Sequence, residues 1–252
     1  MTRTALITGA TSGIGLATAR LFARNGLHII ACGRRQERLE ALAHELASLT
    51  QVHTLAFDVR DNAEVVEKIA SLPKNFQQID ILVNNAGNAH GLDPIHQGSL
   101  VDWDAMIDIN VKGLLYVSRA IIPQMVERQS GHIINIGSLA GKEVYPNGNV
   151  YCASKFAVDA ITKGMRIDLN SYNIKVTCIN PGLVETEFSL VRFKGDGTRA
   201  KNVYRGMTPL TAEDVAEVIW FAVSRPAHVN IAEVLLLPTA QATSTIVKRQ
   251  ET

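Results

Sequence analysis

The chain of 252 residues is 46% apolar and 19% charged, with a formal net charge of +1. It is long enough to bury one sizeable α/β core, and it has no charge excess that would recruit nucleic acid or an anionic membrane. Cys32, Cys152 and Cys178 match no zinc spacing, residues 1–9 lack the apolar core of a signal peptide, and no run reaches the ~18 apolar residues of a bilayer span. A cytoplasmic protein with reduced thiols and no metal is expected.

Residues 5–8 form a short apolar run that stops at a glycine, as a buried strand does. Gly9-Ala-Thr11-Ser12-Gly13-Ile14-Gly15 follows, then an amphipathic helix with Ile14, Ala17, Leu21 and Phe22 inward. Strand, glycine-rich turn and helix in that order make a phosphate cradle. Bare glycine backbone admits a pyrophosphate, and the N–H groups at the helix start receive its charge. Gly9, Thr11, Ser12, Gly13, Ile14 and Gly15 are therefore candidate cofactor residues, although their spacing is Gly-x-x-x-Gly-x-Gly and not the usual Gly-x-Gly-x-x-Gly.

Residues 27–32 read as a second strand ending at Gly33-Arg34-Arg35. An acid about ~20 residues beyond the glycines would hold the ribose 2′-hydroxyl of NAD. Arg34 and Arg35 stand there instead, and a guanidinium fork suits a 2′-phosphate, so the expected cofactor is NADP. The competing reading is that the two arginines only begin the solvated helix of residues 36–49. Residues 52–57 form a third strand ending at Asp58-Val59, where the acid either meets the adenine edge or caps the helix of residues 62–72. Residues 81–83 lead into Asn84-Asn85-Ala86-Gly87, where amides bond backbone and cofactor and the small Ala86-Gly87 pair admits the ribose. His90 and His96 have no partner at ligand spacing and read as solvent-facing.

Residues 103–128 carry one long helical pattern with Asn110 inside it, either exposed or buried with partners. Residues 132–136 form another parallel-type strand, and Ser138 lies just past its end, where ligands gather in open α/β sheets. The helix of residues 151–172 then presents Tyr151 and Lys155 on one face, about one turn apart. A phenol ionises near ~10, and an ammonium beside it lowers that value towards the range useful for proton transfer. Residues 174–179 make a strand ending at Asn180-Pro181-Gly182, with Val184 and Thr186 following as candidate cofactor contacts. Residues 188–207 pass from apolar to basic to glycine-rich and read as a lid. A helix of residues 211–224 capped by Thr211 or by the preceding turn, a strand of residues 234–237, and a polar tail (239–252) that is disordered or docked on a neighbouring subunit complete the chain. With no repeat or linker, the expectation is a single-domain α/β fold: a Rossmann-like doubly wound parallel sheet with helices on both faces.

Thr8-Gly9-x-x-x-Gly13-x-Gly15, Asn84-Asn85-Ala86-Gly87, Asn110, Ser138, Tyr151-x-x-x-Lys155 and Pro181-Gly182 together resemble the short-chain dehydrogenase/reductase family over about residues 3–238. The wording of residues 33–39, 181–184, 187–189, 191–196, 210–215 and 226–231 is similar to that family's bacterial NADP-dependent 3-hydroxy acid dehydrogenases, which also oxidise serine and allo-threonine. The resemblance implies that Tyr151 exchanges a proton with the substrate, Ser138 bonds the same oxygen, and Lys155 holds the nicotinamide ribose. Lys155 also lowers the phenol and, with Asn110, passes the proton to water. It implies a small hydroxy acid or carbonyl substrate and a homotetramer built on the helices of residues 103–128 and 151–172. A substrate carboxylate needs a cation, with Arg192 the first candidate and Lys194 the second. The rival functions are a 3-oxoacyl thioester reductase and a non-catalytic NADPH-binding sensor, the latter usually lacking Tyr151 or Lys155.

Overall fold

Seven apolar runs become seven strands of one parallel sheet in the computed structural model, which describes residues 2–250. The strands are β1 (Thr4–Thr8), β2 (His28–Gly33), β3 (Val52–Ala56), β4 (Ile81–Asn84), β5 (Gly131–Ile136), β6 (Ile174–Pro181) and β7 (Glu233–Leu236). Their order is β3-β2-β1-β4-β5-β6-β7, with Ala5, Leu6 and Ile7 of β1 paired with Ile81, Leu82 and Val83 of β4. The sheet is covered on both sides, so β1 and β4 are buried along their whole length and read as continuous apolar runs.

Successive strand residues face opposite layers. Ile7 and Ile29 pack with Phe22 of α1 (Gly13–Arg24), Leu39 of α2 (Gln36–Leu46) and Ile219 of the later helix Ala212–Val223. Leu6, Ile30 and Leu82 pack on the other face with Val65 of α3 (Asn62–Ala70) and with Val117 and Ile121. Burying each such side chain contributes about 1.5–3 kcal/mol, and truncating one to Ala costs about 2–5 kcal/mol.

Three departures from expectation bear on function. The helical pattern of residues 103–128 begins earlier, at Leu100, and is not continuous. It divides into α4 (Leu100–Ile107), a π-helical turn (Asp108–Gly113) and α5 (Leu114–Glu127). The wide turn carries Asn110, and π turns of this kind recur at functional sites. The cap of α3 is Asp61, which accepts from the N–H groups of Ala63 and Glu64, so Asp58 is free of that duty.

The tail is neither disordered within the described residues nor left projecting. Residues 239–250 turn back over their own chain, with Lys248 N–H donating to Ala240 and Gln250 N–H donating to Gly206. Before that turn come α6 (Asn149–Leu169), two short helices in the expected lid, α7 (Phe188–Arg192) and α8 (Gly197–Asn202), and α9 (Ala212–Val223). Thr211 caps α9 in a reciprocal box with Asp214, as its position predicts.

Candidate active site

The strand order puts the end of β2 and the end of β5 three strand spacings apart, about 14 Å, which an extended dinucleotide bridges. A cleft of about 500 Å³ opens over those strand ends. Its lining includes Gly9, Thr11, Ser12, Gly13 and Ile14 from the first turn and Arg34, Arg35, Asp58 and Val59 from the next two strand ends. Asn85, Ala86 and Gly87, Ser138, Tyr151 and Lys155, then Pro181, Gly182, Val184, Thr186 and Arg192, also line it. Gly15 does not. A Cβ there would overlap the Gly9 carbonyl and Asn85 Nδ2, so its missing side chain serves the approach of α1 to the strand ends.

The glycine turn fits a dinucleotide phosphate. Gly9 (φ +67°) and Gly13 (φ +52°) hold left-handed backbone that favours glycine. A methyl group at Gly9 would come 2.8 Å from Asn85 Nδ2 and one at Gly13 would come 3.3 Å from Thr186. Asn85 fastens this turn to the β4 end, its Nδ2 donating to the Thr8 carbonyl at 2.9 Å. Arg35 stands at the N-cap of α2 with its side chain 41% exposed, yet its guanidinium reaches back to the glycine turn. It donates to Thr11 Oγ1 (2.8 and 3.1 Å), Ser12 Oγ (2.9 Å) and Glu187 Oε2 (2.9 Å). Arg38, which the sequence reading passed over, holds the other oxygen of Glu187 at 2.8 Å. The bonds from Arg38 and Arg35 keep the Glu187 carboxyl below its ordinary range. Arg34 is more exposed and stands 3.8 Å from Asp58. Burial opposes ionisation of Asp58, but its bonds from Arg60 outweigh that and hold it below the usual carboxylate range.

At the other end, α6 carries Tyr151 and Lys155, 8% and 7% exposed. Lys155 Nζ donates to the Ile136 carbonyl at 2.9 Å, and burial pushes its ammonium down to about 8. Burial also pushes the Tyr151 phenol well above its ordinary value, and a hydrogen bond with Ser138 only partly offsets this. Spacing on a helix predicts that the two groups are neighbours, and Nζ is indeed 6.0 Å from the ring centre. It does not predict that both lose water, which favours the neutral form of each.

Asn110 is 2% exposed, which settles its burial. Its amide accepts from Asn88 N–H and donates to the Asn88 carbonyl (2.8 Å) and Ser154 Oγ (3.0 Å). A methyl at Gly87 would come 2.9 Å from Asn110 Oδ1 and 3.6 Å from Lys155 Nζ, so both groups stand behind that glycine. With its bonds to Asn88 and Ser154 made, the amide clamps the 84–88 turn to α6 and makes no direct bond to Lys155 among the described residues.

The two candidate carboxylate binders separate cleanly. Arg192 lines the cleft, its guanidinium 5.5 Å from the Tyr145 ring centre and 5.7 Å from that of Tyr151. Its Nε donates to the Gly91 carbonyl and its Nη1 to Tyr145 Oη, both at 3.0 Å. Lys194 is paired with Asp102 at 2.9 Å and is not in the cleft lining. His90 is half-buried, not solvent-facing, and burial lowers its pKa. Tyr145, Gln241 and Ser244 also line the cleft. Gln241, 6% exposed, accepts from Leu183 N–H beside Gly182. No periodicity or spacing marked these three, because tertiary folding alone brings them to the site.

A family model described as short chain dehydrogenase matches residues 3–195. The chain is 52% identical over 237 residues to the NADP-dependent 3-hydroxy acid dehydrogenase YdfG of Salmonella typhi, covering 94% of this chain and 95% of that protein. It is 48% identical over 240 residues to sulfoacetaldehyde reductase 2 of Chromohalobacter salexigens, covering 95% of each. Among solved structures, the closed form of serine dehydrogenase complexed with NADP+ superposes with a TM-score of 0.92 at 47% identity, across 98% of this chain and 100% of that one.

Proposed function

The chain belongs to the short-chain dehydrogenase family and is an NADP-dependent oxidoreductase, and on that premise we propose that its substrates are small 3-hydroxy acids of the serine, allo-threonine and 3-hydroxyisobutyrate type. The observation that carries this reading is Arg192. Its Nε and Nη1 are held by Gly91 and Tyr145, while its Nη2 makes no hydrogen bond among the described residues. A fixed guanidinium beside Tyr151 suits a substrate carboxylate.

NADP, held by Thr11, Ser12, Arg34, Arg35 and the glycine turn, supplies the hydride acceptor or donor. In the oxidative direction Tyr151 takes the substrate hydroxyl proton at its phenol oxygen, and it returns that proton in reduction. Ser138 Oγ hydrogen-bonds the same substrate oxygen and stabilises charge as it develops there. Lys155 holds the sugar next to the nicotinamide. Leu139, Leu183 and Phe188 give the cleft an apolar lining. We assign the protein to the cytoplasm; among the described residues no helix is long and apolar enough to cross a membrane. A homotetramer is supported by Leu100, Val101, Leu115, Phe156 and Ile167, which stand exposed on α4, α5 and α6.

The test is NADP+ reduction with L-serine, L-allo-threonine, 3-hydroxyisobutyrate and 3-hydroxybutyrate, with acetoacetyl thioesters and NADPH alongside. Turnover of the free acids, lost in Tyr151→Phe, is expected. Arg192→Ala raises KM for the acids by about tenfold or more and leaves neutral alcohols within about twofold. Equal losses on both would refute the carboxylate role, and activity on thioesters alone would refute the substrate class. A second reading follows from the likeness to sulfoacetaldehyde reductase 2, because the same guanidinium binds a sulfonate. Preference for sulfoacetaldehyde over every acid in the panel would establish it.

A further inference from the structure

Ser138 is held through both side chain and backbone, its Oγ accepting from Ala140 N–H at 3.1 Å. Its N–H donates to Asn180 Oδ1 at 3.1 Å. Asn180 is 0% exposed and lies near the C-terminal end of β6, and a methyl at Gly137 would overlap its side chain. The other end of its amide, Nδ2, donates to Glu233 Oε1 at 3.2 Å, at the start of β7. Glu233 Oε1 also takes Lys142 Nζ at 2.6 Å, and Lys142 donates to Asp159 Oδ1 on α6 at 2.6 Å. Glu233 thus fastens the 138–142 turn at two points: through Asn180 at its start and through Lys142 at its end.

Only one orientation of the Asn180 amide satisfies both neighbours. A backbone N–H can only donate and an ionised carboxylate can only accept, so the carbonyl faces Ser138 and the NH₂ faces Glu233. We infer that Asn180, aimed by Glu233, is a positioning residue that holds the Ser138 hydroxyl at the substrate oxygen. The inference rests on the reading of Ser138 given above. Without the acceptor, the part-buried Ser138 N–H loses its partner. The peptide joining Gly137 to Ser138 then loses that anchor, and any turn of it carries Oγ along. A displacement of about 1 Å at such a group costs about 100-fold in rate.

A double-mutant cycle on kcat tests this, with NADP+ and whichever acid of the panel turns over fastest. Asn180→Ala is expected to lower kcat about 10- to 100-fold when Ser138 is present, and less than about twofold in the Ser138→Ala background. KM for NADP+ stays within about twofold in both. The same loss in both backgrounds overturns the inference, because Asn180 would then act on the fold and not through Ser138. If Ser138→Ala alone has no effect, the reading of Ser138 fails first and the inference falls with it. Should N180A not fold, Asn180→Asp sets two carboxylates face to face and loses about tenfold or more in kcat. Adding Glu233→Gln restores a donor opposite the acceptor and is expected to recover kcat to within about threefold. A folded N180D/E233Q variant that recovers nothing overturns the inference. Independently of turnover, the Ser138 amide should exchange slowly with solvent deuterium, and unprotected exchange in the unmutated protein would overturn it as well.

Discussion

Lys155→Met should make the protein more stable while abolishing its activity. Lys155 is buried, its ammonium bonds only the Ile136 carbonyl, and no carboxylate pairs with it among the described residues. Burial moves its pKa from an ordinary 10.5 to about 8, which corresponds to about 3 kcal/mol against the charged form. Replacing the side chain with an apolar one of similar length removes that cost and forfeits the bond to Ile136, worth about 1 kcal/mol. The net gain at about pH 7 is about 2 kcal/mol, or roughly 4–8 °C in Tm for a chain of this size. The cost is fully present below about pH 8, where lysine is charged in both folded and unfolded chains. Between about 8 and 10.5 the folded chain releases a proton that the unfolded chain keeps, so the unmutated protein gains stability as pH rises. Thermal unfolding of the cofactor-free protein at about pH 7 and about pH 10.5 should show the K155M advantage lost and turned into a deficit of about 1 kcal/mol at the higher pH, where only the forfeited bond to Ile136 counts. A variant that melts at or below the parent at the lower pH, or whose advantage ignores pH, would refute the argument. The functional counterpart is a loss of about 100-fold or more in kcat.

Because burial holds the Tyr151 phenol protonated across the neutral range, kcat/KM for oxidation should climb about tenfold per pH unit through neutral and mildly alkaline pH, while kcat/KM for reduction stays flat. A flat oxidation profile would place the phenol much lower. Arg35→Ala removes four donor contacts beside the glycine turn and should weaken NADPH binding about 10- to 100-fold with NADH changed less than about twofold, read by titrating nicotinamide fluorescence. Equal weakening of both cofactors would remove Arg35 from the 2′-phosphate. Thr211→Ala breaks the capping box of α9 and should cost about 1 kcal/mol, a fall of roughly 2–4 °C in Tm, with no change in cofactor affinity.

What the sequence revealed, and what it hid, follows from which forces act locally. Strands such as residues 4–8 and 81–84 were legible because a sheet covered on both faces needs unbroken apolar runs. The glycine turn was legible because its backbone angles admit little else. The π turn at Asn110 left no trace, since one wide turn scarcely alters the apolar period of a helix. Arg34 and Arg35 looked equivalent, but only folding shows that Arg35 bonds Thr11 of the glycine turn while Arg34 stands beside Asp58. Four-residue spacing placed Lys155 beside Tyr151 but said nothing of hydration, which burial removes from both. Gln241, more than two hundred residues from the glycine turn, belongs to the cleft for reasons no local pattern records.

The placing of β1 between β2 and β4 also has a consequence in time. Every pairing in the sheet joins strands separated by a crossover, so none of its ladders can form as a local hairpin, and the loop entropy of each closure precedes its reward. The cleft draws on the ends of β1 through β6, and therefore on both sides of the β1–β4 junction. A chain refolding from denaturant regains helical signal from α5 and α6 before that junction closes. Nicotinamide binding is expected to return only once that junction has closed, which makes the cofactor a reporter of its closure.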